Sequence, residues 1–377
     1  MSIPTATATI TPCASSEYQT QEKLLTDIFA AYYSARYNKR NTQNQVRFER
    51  DLSNNLIRLY REILDESYKV GRSICFIIER PVKREVFAAS FRDRIVHHYL
   101  YNYLMPIFDP VFIYDSYSCR VGRGTLFGIE RLEHHIRSCS NNYKKECWVL
   151  KLDLTGYFMS MDRQRLYDIV VGVLLAKGKD KEPGFRTVVF LLKKVIFNDP
   201  TKGCYMKGEK SDWVGLPPSK SLFHAREGCG LPIGNLTSQL FSNIYLNELD
   251  QYVKRVLKVK HYGRYVDDFY LVDNSKERLL SLIEPIRKFL DEKLFLTLHP
   301  KKIYLQRQEQ GVQFLGCVVK NGHRYMSARG HKLMMENLAN TYANEPNPYL
   351  VRACVNSYKG YLSHLDHPDM RMLGKPW

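Results

Sequence analysis

Two adjacent aspartates, Asp267 and Asp268, lie between two apolar runs, Arg264-Tyr265-Val266 before them and Phe269-Tyr270-Leu271-Val272 after. Such a pattern reads as two strands joined by a tight turn, with the carboxylates at its tip. Neighbouring carboxylates repel and need a partner of opposite charge. Mg²⁺ takes carboxylates together with phosphate oxygens. The turn therefore suggests metal-assisted phosphoryl chemistry, in which two ions clamp the attacking and leaving oxygens. A solvated acidic turn is the competing reading. The metal reading requires a third carboxylate on a neighbouring strand.

Asp153 supplies it. Cys147-Trp148-Val149-Leu150-Lys151-Leu152-Asp153-Leu154 is the strongest strand in the chain. Apolar residues dominate both of its faces, which predicts a central, buried strand. A buried aspartate at its end needs a charge partner.

With 377 residues and 44% hydrophobic content, the chain can bury a large core, divided over two or three subdomains. The net charge of +17 points to a polyanionic partner, most commonly nucleic acid. A merely solvated basic surface is the alternative. Tyr (26) and Phe (18) among basic residues suit base stacking, although most of these rings belong to the core. No apolar run is long enough to span a membrane. The nine cysteines are scattered without a Cys-x-x-Cys, which predicts reduced thiols in a cytoplasmic protein and neither a disulfide framework nor a zinc site. The pairs His97-His98 and His134-His135 lack metal-ligand spacing and read as surface or satisfied core residues. The polar, threonine-rich start lacks the features of a signal peptide and reads as a disordered tail over residues 1–17.

Periodicity predicts helices between Thr20 and Tyr68 with a connection at Arg40 to Asn44, a strand over Ile74 to Ile78, and a helix over Arg92 to Tyr103. Cys119 to Gly124 forms a basic, glycine-bearing loop opening onto a helix from Leu126 to His135; such a loop suits a phosphate or is a plain surface turn. Helices follow from Arg163 and over Phe185 to Phe197. Asp199 to Gly230 is a long loop, of the kind that is usually functional or mobile. A helix runs from Leu236 to about Val256, and after the Asp-Asp hairpin come a helix over Lys276 to Lys293, a strand over Leu294 to Leu298 and a hairpin strand over Val312 to Val319. Ala328 to His364 is mostly helical, broken at Pro346 and Pro348. This order implies an α+β fold: an antiparallel, ferredoxin-like sheet with helices packed on one face.

Five segments now resemble one family. Asp153-Leu-Thr-Gly-Tyr-Phe158, Gly230-Leu-Pro-Ile-Gly-Asn-Leu-Thr-Ser-Gln239, Tyr265-Val-Asp-Asp268, His299-Pro-Lys-Lys302 and Gln313-Phe-Leu-Gly316 stand in the order and spacing of reverse transcriptase palm motifs. Basic segments around Arg84 and Arg120 resemble its finger motifs, and the likeness runs from about Gln21 to His364. The resemblance implies a right-hand polymerase. Residues 18–146 would hold N-terminal helices and fingers, 147–320 the palm with a fingers or loop insertion at 178–230, and 321–377 a helical thumb.

The motif Ile233-Gly-Asn-Leu-Thr-Ser-Gln239, with Leu216-Pro-Pro-Ser-Lys-Ser-Leu-Phe223, Arg84 to Arg94 and Ser357 to His364, is similar to reverse transcriptases of diversity-generating retroelements, relatives of group II intron enzymes. These are bacterial or phage proteins that copy a template RNA into cDNA with errors at template adenines. The family implies a basic accessory variability determinant protein as a further partner, besides template RNA and the cDNA primer.

The resemblance also assigns roles. Asp153 and Asp267 would hold two Mg²⁺ ions, for which Mn²⁺ can substitute, with Asp268 completing the cluster and the Leu154 carbonyl as a further ligand. Phe158 matches the steric gate that selects dNTPs. Arg84 and Arg120 would meet the triphosphate, and Lys302 the leaving pyrophosphate; a grip on nucleic acid backbone or a solvated charge is the alternative for each. Ile233, with Gly234, would lie near the incoming nucleotide; many reverse transcriptases carry glutamine at 233, so an aliphatic residue removes a polar check on geometry. Ser238 and Gln239, on the first turns of the following helix, would face the template or else serve helix packing. Rival readings are a group II intron-like or defence-associated reverse transcriptase, an RNA-dependent RNA polymerase, which Phe158 argues against, and a non-catalytic RNA-binding protein.

Overall fold

The computed structural model describes residues 14–37, 41–80 and 82–366. Residues 1–13 of the expected tail therefore lie outside the described residues, whereas Ala14 onward already belongs to a helix. Helices α1 (Ala14–Arg36), α2 (Gln43–Glu49) and α3 (Leu52–Leu64) open the chain. In α3, Leu56, Leu59 and Ile63 fall on one buried face, as the three- and four-residue spacing requires. Strands β1 (Ile74–Ile78) and β2 (Arg84–Ala88) form an antiparallel hairpin. The sequence marked β2 only as a basic segment. Ser90 caps α4 (Phe91–Phe108) by accepting from the Asp93 amide, and α5 (Thr125–Cys139) follows.

The chain then builds β3 (Trp148–Leu152), α6 (Tyr157–Ser160), α7 (Arg163–Ala176), α8 (Phe185–Ile196), β4 (Tyr205–Met206) and α9 (Leu236–Gln251), which ends in a π-turn over Tyr252–Val256. After β5 (His261–Tyr265) and β6 (Asp268–Asp273) come α10 (Lys276–Ser281), α11 (Ile283–Leu294) and β7 (Tyr304–Arg307). Strands β8 (Val312–Phe314), β9 (Cys317–Lys320) and β10 (His323–Met326) form a small antiparallel sheet, and α12 (Ala328–Asn344) and α13 (Pro348–Leu362) close the fold. Pro348 occupies the first turn of α13, where its missing N–H costs nothing, and Asn347 caps that helix.

The central sheet has the order β5-β6-β3-β7, every pair antiparallel. Numbered by chain order within this sheet, that is second, third, first, fourth, the arrangement of a split βαβ ferredoxin-like unit. Its two faces bury different cores. Leu150, Leu152, Phe269 and Leu271 join the main core with residues of α4, α7, α9 and α11. Val149, Tyr270 and Val272 join a second core with Ile129 and Leu132 of α5 and with Phe314 and Val319 of the small sheet. The expectation of helices on one face alone is thus corrected. β3 is apolar on both faces, so both need cover.

The expected strand over 294–298 is also corrected. Helix α11 continues to Leu294, and Phe295 ends it in the left-handed region (φ +53°). Leu294, Leu296 and Leu298 are buried in alternation, which mimics a strand, yet the segment makes one bridge only, Leu154 to Leu298. The fourth strand of the sheet is β7, which the sequence reading missed. Among the described residues no helix is long and apolar enough to cross a membrane.

Candidate active site

The hairpin forms as its sequence demands. Tyr265 pairs with Asp268, leaving Val266-Asp267 as a two-residue turn. Val266 sits at φ +56°, a strained conformation for a β-branched side chain. Arg264 supports it from below. Its Nη1 donates to the Val266 carbonyl at 3.0 Å, while Nε and Nη2 fork onto Asp250 of α9 at 2.8 and 2.7 Å. Both side chains of this pair are fully buried. The Tyr262 hydroxyl adds a bond to Asp250 at 2.7 Å, and Arg264 also donates to Ser116 Oγ at 3.3 Å. Burial works against the guanidinium charge, and the Asp250 carboxylate more than offsets it.

Asp153 lies one residue past β3. The last ladder pair is Leu152 with Phe269, so one further step of the register sets Asp153 opposite Asp268. The backbone of Asp153 is itself clamped: its carbonyl accepts from the His299 amide at 2.8 Å, and the Thr155 amide donates to the Thr297 carbonyl at 2.9 Å. These two bonds flank Leu154 and leave its carbonyl out. The same clamp delivers Lys302, whose Nζ lies 3.1 and 3.0 Å from the two Asp153 carboxylate oxygens. Lys151, two residues before Asp153 on the same face of β3, places its Nζ 3.6 Å from Asp268 Oδ2.

The electrostatics follow from this crowding. Burial raises the Asp267 carboxyl above its ordinary range and Asp153 adds to the rise, while Lys302 and Arg84 oppose it. Burial pushes Asp268 up to about 6; Lys151 opposes that, and Asp153 and Asp267 reinforce it. Two desolvated carboxylates, Asp267 and Asp268, with Asp153 and two lysine ammoniums beside them form a site that draws cations. Among the described residues no three His, Cys, Asp or Glu side chains are already gathered to hold a metal ion. Lys302 and Lys151 stand in for one. The donor set, all carboxylate oxygens at a strand end, fits Mg²⁺ or Mn²⁺ with Asp153 and Asp267 as ligands.

Phe158, on α6, is half-buried and packs against a cluster of Cys75, Phe87, Met159 and Leu222, on which Ile233 also rests. The Phe87 amide donates to the Ile233 carbonyl at 2.9 Å. Gly234 follows at φ +118°, and a Cβ there would lie 2.8 Å from Val86 Cγ1, so only glycine fits. Arg84 opens β2, is exposed, and its positive charge acts on Asp267 and Tyr265. Gln239 is exposed on the first turn of α9.

Two residues of the expected site, Arg120 and Ser238, have buried side chains. The Arg120 side chain is 6% exposed and its donors go to Asp109 Oδ1 at 2.7 Å and to the Ile113 and Ser116 carbonyls at 2.8 and 3.1 Å. Arginine in a glycine-bearing loop reads alike whether it binds phosphate or knots its own loop. Ser238 is buried beside a small cavity lined by His97, Asn235 and Thr237, as the helix-packing alternative has it.

Sequence reasoning missed Lys151, the Arg264–Asp250 pair and Glu85. The first was findable, because strand period places Lys151 and Asp153 on one face. The second joins residues on different elements and leaves no local signal.

Residues 196–319 match the family model described as reverse transcriptase (RNA-dependent DNA polymerase). The chain is 26% identical over 287 residues to Protein YkfC of Escherichia coli (strain K12), covering 67% of this chain and 68% of YkfC. It is 25% identical over 190 residues to an uncharacterized 91 kDa protein in the cob intron of Schizosaccharomyces pombe, covering 50% of this chain and 19% of that protein. It is 20% identical over 322 residues to a COX1/OXI3 intron 2 protein of Saccharomyces cerevisiae, of which it spans 34%. Among solved structures, telomerase from Candida tropicalis with a fragment of telomeric RNA aligns at a TM-score of 0.47 and 11% identity, covering 79% of this chain and 55% of that chain.

Proposed function

We propose that this chain, which carries a reverse transcriptase domain and hence the activity class of an RNA-directed DNA polymerase, copies a retroelement template RNA into error-prone cDNA. The observation that supports the polymerase reading is the register of β3 against β6, which sets Asp153 opposite Asp268 beside the Asp267 turn, with Lys302 on Asp153. In this reading the sheet and its helices are the palm, the β1–β2 hairpin belongs to the fingers, and α12–α13 form the thumb.

Asp153 and Asp267 would hold the metal ions, which would supply acidity to a primer 3′-OH and neutralise charge on the triphosphate leaving group. Lys302 moves from Asp153 to the departing pyrophosphate, where an ammonium donates a charge-assisted bond. Lys151 keeps Asp268 compensated, so that its carboxylate does not repel the incoming triphosphate. Arg84 grips phosphate oxygens from the opposite side. Phe158 presents its ring where a ribose 2′-OH would project.

Ile233 supports the diversity-generating subclass. It rests on the same apolar cluster as Phe158 and offers the base pair no hydrogen bond. A test is RNA-templated primer extension with dNTPs, followed by sequencing of the cDNA. Wild-type enzyme is expected to accumulate errors at template adenines, and Ile233→Gln to reduce them. An error spectrum that is uniform over template bases contradicts the subclass. A second reading, an intron-type reverse transcriptase, is favoured by the two intron proteins among the relatives; it predicts faithful copying at adenines. Binding of template RNA with an accessory variability determinant protein belongs to the first reading.

A further inference from the structure

Residues 213–222, in the loop between β4 and α9, have no part in the chemistry so far, yet they are firmly tied down. Glu85, next to Arg84 on β2, is fully buried. Its Oε2 accepts from Trp213 Nε1 at 2.8 Å and from Ser221 Oγ at 2.9 Å, and its Oε1 accepts from the Leu222 amide at 2.7 Å. A buried carboxyl group is costly unless its oxygens are well bonded. Here all three of these donors come from one loop, so Glu85 fastens that loop to the β1–β2 hairpin.

The other side of the loop rests on the nucleotide pocket. Leu222 belongs to the cluster against which Phe158, Trp213 and Ile233 pack. The Ser219 carbonyl approaches Gly156 so closely that a Cβ there would lie 2.7 Å away, and Gly156 itself stands at φ +53° as it opens α6, the helix of Phe158. The loop is therefore the backing of the Phe158 ring, and Glu85 is the anchor of the loop.

We infer that Glu85 is a positioning residue for sugar selection: by pinning residues 213–222 it denies the Phe158 ring the space to yield to a ribose 2′-OH. Glu85 touches no reacting atom. The inference rests on the reading of Phe158 as the steric gate.

Glu85→Gln keeps the shape but offers one acceptor oxygen to three donors. Single-nucleotide incorporation on an RNA template would be measured with each dNTP and its ribonucleotide counterpart, giving a ratio of kcat/KM values. In Glu85→Gln the ratio is expected to fall about tenfold, the scale of a change in pocket fit, mainly through faster ribonucleotide use. Trp213→Phe, which removes one donor from the loop side, is expected to shift it the same way and by less. Added to Phe158→Ala, Glu85→Gln is expected to change nothing further, because the ring it acts through is gone. An unchanged ratio in Glu85→Gln, with Phe158→Ala lowering it, overturns the inference and spares the gate. An additive effect in the double variant overturns it as well. An unchanged ratio in Phe158→Ala removes the gate reading and this inference together. Should Glu85→Gln fail to fold, Trp213→Phe decides: a lower ratio supports the anchor, and an unchanged ratio overturns it.

Discussion

Arg264 shows how one buried side chain sets the geometry of the Val266-Asp267 turn. Its guanidinium joins Asp250 on α9 to the carbonyl of Val266, the residue that precedes Asp267. Removing one member of a fully buried ion pair leaves the other charge uncompensated, at a cost of about 3–5 kcal/mol. Arg264→Ala is therefore expected to lower unfolding free energy by about that amount, read by urea denaturation. The apolar double variant Arg264→Met with Asp250→Leu is expected to recover most of the stability. Its polymerase rate is expected to stay low, because the Val266 carbonyl still lacks its donor and the strained turn relaxes. A double variant with wild-type activity would show that the pair only stabilises.

The elements were unequally legible in the sequence. Helix α9 and strands β3 and β6 follow from periodicity, since each buries a continuous apolar face. Residues 294–298 misled, because alternating burial of Leu294, Leu296 and Leu298 serves a helix end and an extended segment as well as a strand. Strand β2 was hidden by its basic neighbours, and with it the role of Glu85. Asp267 and Asp268 stood out in the sequence because adjacent charges in an apolar run need a reason. The partners of Arg120, the Asp109 carboxylate and the Ile113 and Ser116 carbonyls, carry no sequence signature.

Helix packing also sets a pH response. His97 of α4 bonds Thr237 Oγ1 of α9 at 2.7 Å, and burial pushes its imidazole down to about 4 from the usual 6.5, with His98 and Arg94 adding to the shift. Its folded pKa lies below the unfolded one. The stability it contributes is complete above pH 6.5 and is lost as pH falls towards 4. His261 is likewise held down to about 4 by burial and acts in the same window. Asp268 acts oppositely, because its raised carboxyl favours folding at low pH and loses that contribution as pH rises through about 6. His97→Gln is expected to make the fall of Tm between pH 6.5 and 4 shallower than in wild type. An identical slope in thermal melts would contradict this account of the α4–α9 contact.

At the scale of the molecule, one core runs from Leu24 in α1 to Leu298 beyond α11, so the N-terminal helices and the central sheet stand or fall together. Helices α12 and α13 have a small core of their own, Met334, Leu338 and Leu362. They meet the turn after β1 where Arg80 Nη1 donates to Asn337 Oδ1 at 3.2 Å. The excess of basic charge, +17 over the chain, gives such a frame its attraction for a polyanion. Everything then depends on whether Asp153, Asp267 and Asp268 act as one metal-binding centre. The most direct measurement is single-turnover dNTP addition on an RNA template with Mg²⁺, comparing wild type with Asp267→Asn. Metal-ion stabilisation of several kcal/mol predicts a loss of about 10³-fold or more, with the Tm of the variant equal to or above that of wild type because a desolvated charge has been removed. A variant that extends primers at the wild-type rate would contradict the assignment of the hairpin as the catalytic centre.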